Sequence, residues 1–269
     1  MNVVGVESSH GFGDCLFNVP LIKSISEKHG REVTVAVTPH CADAFINVPW
    51  IGEIIHIPSM YHGLEALERL KYRHIYQITQ NAKFPAYQQH DQNHSLIDTA
   101  LCVGRELGLP DFEQRPMFLP TQDELRFGHD YGQLLNGHPT IAVECVAKSA
   151  QSWADQEAIQ MIVDRFACTH KILWLSNQGA PNHPNVDDLL RYTRRQIIML
   201  LRHCSIFFSV GSGFFCANLA LPNEYQAKKV ICLWVDDLYK YEYRLAQVQW
   251  HKDIVWVHNH QELKKSLES

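Results

Sequence analysis

Residues 206–221 read IFFSVGSGFFCANLAL, an apolar strand that leads through a glycine-flanked turn into a short helix. The same order of strand and helix recurs along most of the chain. Strands are predicted at residues 2–6, 32–37, 53–57, 74–78, 140–145, 171–175, 206–210, 230–234 and 254–257. Apolar strands that alternate with helices are typical of parallel sheets, so the sequence predicts an α/β fold.

Helix start signals support this alternation in the second half of the chain. Thr193 and Gln196 form a T-x-x-Q capping box ahead of an apolar run, which predicts a helix to Leu201. Asn259 and Glu262 are placed to cap a closing helix. In the first half, apolar residues at helical spacing predict helices around 16–25 and over 95–107.

A stretch rich in proline interrupts the pattern between the two halves. Pro110, Pro116 and Pro120 stand close together where no strand or helix period is visible, which is typical of a connector. The length of 269 residues suits two small domains. We therefore predict an N-terminal domain at residues 1–115 and a C-terminal domain at 116–269. Two such units would hold a ligand at the carboxyl ends of their strands, in a central cleft.

Composition narrows the class of protein. No apolar run approaches the roughly 18 residues of a membrane span, and no basic segment precedes the first apolar strand, so we expect a cytoplasmic protein. The net charge of -5 argues against non-specific binding of nucleic acid. The eight cysteines form no CxxC pair and are expected to be buried thiols. The sixteen histidines include no HExxH motif, so no metal is expected.

The loop after the first strand carries the first candidate site. Residues 8–14 read SSHGFGD, and Gly13 would let the backbone approach a ligand closely. Asp14, at the start of a helix, is either a cap or a general base that points into the cleft. A dinucleotide-binding site would need an acid at the tip of the second strand, which instead ends in Thr38 and Pro39. The sequence therefore disfavours a redox enzyme.

The second half carries the other candidates. Gly211, Ser212 and Gly213 join a strand to a helix, and their backbone N–H groups are either a cradle for a diphosphate or a simple tight turn. Lys148 follows a strand and is either a partner for a leaving phosphate or a solvated lysine. Trp153 either stacks on a base or packs on the helix after it.

These signals occur in an order that resembles the bacterial heptosyltransferase family. Residues 8–21 resemble its opening, where a Gly-Asp pair precedes an apolar helix with a proline about six residues later. Five further stretches match its later elements in sequence order, namely residues 33–58, 97–109, 148–153, 173–181 and 196–221. The Gly-Ser-Gly turn is similar to that of the autotransporter heptosyltransferase branch. The resemblance covers nearly the whole chain through short motifs.

The resemblance implies a fold of the GT-B type, two Rossmann-like lobes with parallel sheets that face a central cleft. The first lobe would hold the acceptor and the second the nucleotide sugar. It implies an inverting, metal-independent glycosyltransferase without a further cofactor. Asp14 would be the general base. Lys148 and the backbone of Ser212 and Gly213 would contact the donor phosphates. Gly13, Trp153 and Gly211 are the further candidates for binding the donor.

The sequence also departs from the family at positions that affect the substrates. Cys216 and a Gly-Ser-Gly turn stand where the family has Asp-Ser/Thr-Gly followed by histidine, and Asn182 and His183 stand where it has a ribose-binding glutamate. The donor therefore stays open, and so does the acceptor: a protein, a neutral glycan or a modified DNA base. An inactive nucleotide- or glycan-binding protein and a sugar-nucleotide epimerase are the alternatives on the same fold.

Overall fold

The structure, a computed structural model, describes residues 4–7, 11–59, 62–78, 104, 108–109, 115–146, 154–176, 179–233 and 253–268. The chain divides into two compact units between Leu119 and Pro120. The sequence had placed this boundary between residues 115 and 116. Each unit is described by itself below.

The first unit contains a parallel sheet. Its strands are β1 (Val4–Glu7), β2 (Val33–Val37), β3 (Ile51–His56) and β4 (His74–Gln77). They pair in the order β3-β2-β1-β4, and each described pairing is parallel. The helices are α1 (Phe12–His29), a 3-10 helix (Pro39–Phe45) and α2 (Gly63–Arg69). Buried valines of β1 and β2 form the middle of this sheet, as expected for strands covered on both faces.

Helix α1 has a proline in its interior, and a distant backbone group compensates for it. Pro20 has no N–H, so the carbonyl of Leu16 lacks its usual partner four residues on. The backbone N–H of Met117 donates to this carbonyl at 3.2 Å. Phe118, the next residue, is buried. The end of the proline-rich stretch is therefore bound to α1.

The second unit contains the larger of the two described sheets. Its strands are β5 (Thr140–Val143), β6 (Lys171–Trp174), β7 (Val186–Asp188), β8 (Ile206–Ser209), β9 (Lys229–Leu233) and β10 (Ile254–Val257). They pair in the order β10-β9-β8-β5-β6-β7, with every described pairing parallel. The helices are α3 (Gln122–Leu135), α4 (Gln156–Phe166), α5 (Arg194–Leu200), α6 (Gly213–Ala220) and α7 (His260–Glu268), with 3-10 turns at Leu201–His203 and Asn223–Tyr225.

A largely buried ion pair joins two helices of the second unit. The guanidinium of Arg195 on α5 donates to both carboxylate oxygens of Glu124 on α3, at 2.5 and 2.8 Å. Glu124 also accepts from the backbone N–H of Thr121 and so completes the N-terminal cap of α3. Burial alone would raise the pKa of Glu124, but the hydrogen bonds and charge of Arg195 and the N–H of Thr121 lower it below its ordinary value.

The two parallel sheets confirm the predicted α/β class, and most predicted elements are present. The capping box at Thr193 also forms. At the last helix Asn259 accepts from the Glu262 N–H, and Glu262 accepts from the His258 N–H. Helices α2 and α3 and strand β7 were not predicted. The predicted helix at 95–107 lies almost entirely outside the described residues. Cys15, Cys41, Cys145, Cys204, Cys216 and Cys232 are buried thiols, whereas Cys168 is exposed and Cys102 lies outside the described part.

Candidate functional site

The carboxyl ends of β5 and β8 lie side by side in the second unit and bring a carboxylate under the Gly-Ser-Gly turn. Val143 of β5 is paired with Phe208 of β8. The next residue along β5, Glu144, donates its backbone N–H to the Phe208 carbonyl at 2.9 Å. Its side chain is only 3% exposed. The parallel register therefore fixes Glu144 beneath the start of α6.

Two serine hydroxyls satisfy this carboxylate. Ser209 donates to Glu144 Oε2 at 3.0 Å, and Ser212 donates to Glu144 Oε1 in a short hydrogen bond. Ser209 Oγ in turn accepts from the Gly211 N–H at 3.3 Å. The turn is thus tied to Glu144 at both of its ends.

The turn also starts helix α6. Gly211 has a φ of 68°, in the left-handed region that side chains other than glycine rarely adopt. Ser212 is the N-cap, and its hydroxyl oxygen accepts from the Phe214 N–H at 3.0 Å. Ser212 and Gly213 are partly exposed, whereas Gly211 is buried. The helix start therefore presents backbone N–H groups and a positive dipole end beside an accessible serine and glycine.

Burial raises the pKa values of the ionisable groups near the turn. It raises the pKa of Glu144 to about 7, although the hydrogen bonds from Ser212, Ser209 and the Val210 backbone oppose the rise. Burial raises the pKa of Cys145 to about 12, with a hydrogen bond to Ser176 opposing it. Burial likewise raises the pKa of Cys232, aided by the charge of Glu144. These thiols are unreactive at neutral pH, and Glu144 is the group that can change charge there.

In the first unit, Asp14 lies in the first turn of α1. One of its oxygens, Oδ2, accepts from the Gly11 backbone N–H at 2.9 Å, so Asp14 caps the helix. The side chain is partly exposed, while Gly13 beside it is buried. A cap of this kind leaves the carboxylate at the carboxyl-end side of β1, where the sequence placed a base. The role as a base stays a prediction.

The structure brings together some of the predicted donor residues. Gly211, Ser212 and Gly213 form one turn, whereas Lys148, Trp153 and residues 8–10 lie outside the described part of the chain. Glu144 was not predicted. Its signal is weak in the sequence, because a single acid at the end of an apolar strand acquires its partners only when β8, 65 residues away, packs beside it.

Within the described ranges, His, Cys, Asp and Glu form no group of three that could hold a metal ion. Among the helices described above, none has the length and apolar character needed to cross a bilayer.

Several solved structures superpose on this chain over most of its length. A glycosyl transferase family 9 protein from Veillonella parvula superposes with a TM-score of 0.65, at 11% identity, over 99% of this chain and 90% of its own. The E. coli ADP-heptose LPS heptosyltransferase II gives 0.65 at 12% identity, over 100% and 97%. The chain has the GT-B fold. The predicted lobes with parallel sheets are thereby confirmed at the level of fold.

A third neighbour has a different activity in its name. A putative UDP-N-acetylglucosamine 2-epimerase from Listeria monocytogenes gives a TM-score of 0.52 at 10% identity, over 99% of this chain and 87% of its own. No protein-family model matches the sequence, and no curated protein resembles it closely enough in sequence to count as a relative. At these identities the comparisons establish the fold alone.

Proposed function

We propose that the protein is a glycosyltransferase that moves a sugar from a nucleoside diphosphate to an acceptor hydroxyl. The observation that carries the proposal is the start of α6, where a capped helix, a left-handed glycine and an accessible Ser212 and Gly213 lie at the carboxyl end of a parallel sheet. Such helix starts bind phosphate groups through backbone N–H groups. In a chain with the GT-B fold, this arrangement suits the diphosphate of a nucleotide sugar.

The proposed reaction is an inverting displacement. The acceptor oxygen attacks the anomeric carbon of the donor, and the bond from that carbon to the diphosphate oxygen breaks. Asp14 takes the proton from the acceptor hydroxyl. The negative charge that develops on the diphosphate is stabilised by the N–H groups at the start of α6 and by Lys148, without a metal ion. Gly13 lets the backbone approach the donor closely, and Trp153 stacks on the donor base.

For the donor and the acceptor we propose classes of compound. Because one neighbour of this fold is named as an ADP-heptose transferase, ADP-heptose is the first donor to test, with other nucleotide sugars beside it. The acceptor is a protein, a neutral glycan or a modified DNA base, and the enzyme acts in the cytoplasm. An epimerase is the second candidate, because one neighbour carries that name. It would convert a nucleotide sugar without any added acceptor, whereas a transferase would not.

The first experiment is a binding screen with nucleoside diphosphates and nucleotide sugars. A ligand at a hundred times its dissociation constant stabilises the protein by about 2.7 kcal/mol, which a thermal shift resolves. Gly213→Val should obstruct the proposed phosphate cradle and weaken binding, with Gly213→Ala between it and the parent protein. Unchanged affinity in a folded Gly213→Val variant would place the nucleotide elsewhere.

The second experiment tests Asp14. In Asp14→Asn the amide oxygen can accept the Gly11 N–H as the carboxylate does, so stability and donor binding should persist. Transfer should fall on the order of 100- to 10,000-fold, because the amide cannot take the proton. Asp123→Asn is the matched control, since Asp123 is an exposed acid in the first turn of α3. Transfer by Asp14→Asn at the rate of this control would mean that Asp14 is only a cap.

A further inference from the structure

Glu144 is a buried acid with an unusual set of partners. Both of its carboxylate oxygens accept from serine hydroxyls, and one of those hydroxyls, Ser212, stands at the proposed phosphate site. Ser212 is partly exposed, whereas Ser209 is completely buried. Among the described residues, Ser212 is therefore the one that links the acid to the accessible surface of the site.

We propose that Glu144 is a positioning residue of the donor site, and that the donor diphosphate binds together with a proton taken up by the Glu144 carboxylate. The inference rests on the proposed function. It adds a link between the protonation of a residue that does not touch the donor and the direction in which the Ser212 hydroxyl points.

The donor and acceptor capacities of Glu144 and Ser212 explain this link. While Glu144 is ionised it only accepts, so the Ser212 O–H must point down toward it. When Oε1 carries a proton, it can donate to Ser212 Oγ. That oxygen has two acceptor positions, of which the Phe214 N–H occupies one. The Ser212 O–H is then released to donate to a phosphate oxygen.

The proton belongs on the Ser212 side of the carboxylate. Ser209 Oγ already accepts from the Gly211 N–H and donates to Oε2. A proton on Oε2 would turn the Ser209 O–H away from its partner in a site with no exposed surface. Such an unsatisfied buried donor is unfavourable. Protonation at Oε1 leaves the Ser209 bonds as they are.

The surroundings of Glu144 favour a neutral acid once an anion is bound. The described groups that face it are the Ser209 and Ser212 hydroxyls and the Val210 backbone from the β8–α6 turn. Glu144 also acts electrostatically on the thiols of Cys145 and Cys232, after β5 and in β9, and burial keeps both thiols neutral at ordinary pH. None of these groups is a cation. A diphosphate on the far side of Ser212 would therefore repel an ionised Glu144 and favour proton uptake.

The test is a titration of ADP-heptose and UDP-glucose against the protein from about pH 6.5 to 9. Both probes carry a doubly substituted diphosphate that does not titrate near neutral pH. Above about pH 7 the dissociation constant of the parent protein should rise by up to about tenfold per pH unit. In Glu144→Gln the dissociation constant should not change with pH, because the amide N–H can donate permanently to Ser212 Oγ. The variant should therefore bind more tightly than the parent at about pH 8.5.

A matched control and a measurement on the parent alone complete the test. Glu224→Gln removes an exposed carboxylate of the same unit and should keep the pH dependence of the parent. Calorimetry of the parent in two buffers of different ionisation enthalpy should give an uptake approaching about one proton per bound probe at about pH 8.5. This measurement needs no variant, so it decides the matter even if Glu144→Gln does not fold.

The outcomes separate this inference from the function on which it rests. Binding without proton uptake, or weaker binding of Glu144→Gln at every pH with the slope of the parent, would overturn the role of Glu144 and leave the donor site standing. If neither probe binds the parent at any pH, the proposed donor site fails and the inference fails with it.

Discussion

The pH dependence of stability should reveal the buried acid even without a ligand. Burial raises the pKa of Glu144 from its ordinary value of 4.5 to about 7 in the folded protein. Between these values the folded state keeps a proton that the unfolded state has lost, so this group makes the protein less stable as the pH rises. Each factor of ten in an ionisation constant is worth about 1.4 kcal/mol, so the loss amounts to about 3 kcal/mol. Glu144→Gln has no such group.

The assay is urea unfolding of the parent and Glu144→Gln at a series of values from about pH 5 to 8, followed by circular dichroism. The variant should gain about 3 kcal/mol relative to the parent as the pH rises through this range, mostly below pH 7. Glu124→Gln is the control. The pKa of Glu124 is lowered, so the stability that this group contributes is lost only as the pH falls below the ordinary range of a carboxyl. The difference in unfolding free energy between Glu124→Gln and the parent should therefore be the same across this pH range. If the difference in unfolding free energy between Glu144→Gln and the parent also stays constant with pH, burial does not raise the pKa of Glu144.

Three further substitutions test packing in the second unit, each by thermal and urea unfolding. Arg195→Met should cost about 1–3 kcal/mol, since the largely buried carboxylate of Glu124 loses both hydrogen bonds from the guanidinium and keeps the Thr121 N–H. The more exposed pair of Arg191 should cost under about 1 kcal/mol when broken in the same way, and equal losses would contradict this. Gly132→Ala should destabilise by about 1–3 kcal/mol, because its methyl group would overlap the imidazole of His203. Glycine to alanine usually stabilises a helix, and a gain in stability here would contradict the overlap. Thr193→Ala should cost about 1 kcal/mol through the lost N-cap of α5, and no change would mean that the cap does not contribute.

Strands and helix caps were the features most accessible from the sequence. Parallel strands buried on both faces are nearly continuous apolar runs, so β10 was predicted with its observed bounds. Strand β7 was missed because its three residues, Val-Asp-Asp, carry two acids and pair with a single neighbour, β6. Helix α3 was missed although Thr121 and Glu124 form a capping box, because the prolines before it favour a connector.

The candidate site was predictable only where one local segment forms it. The Gly211–Gly213 turn and the start of α1 are such segments, and both are where the sequence placed them. Glu144 is different, because its partners come from β8 and the start of α6 and depend on sheet order and register. For Asp14, the sequence left a cap and a base open. The structure has the cap bond to Gly11, and the role as a base stays a prediction.

The proline inside α1 has a consequence for dissecting the chain into fragments. Pro20 leaves the Leu16 carbonyl available, and Met117 occupies it. A fragment that stops at residue 115 would strip this carbonyl of its partner and uncover the site of Phe118, whereas one that stops at Leu119 would keep both. Conversely, Pro20→Ala would supply an N–H within the helix and compete with Met117 for the same acceptor. Pro20, which lies 97 positions before Met117, thus decides where the first unit can be truncated.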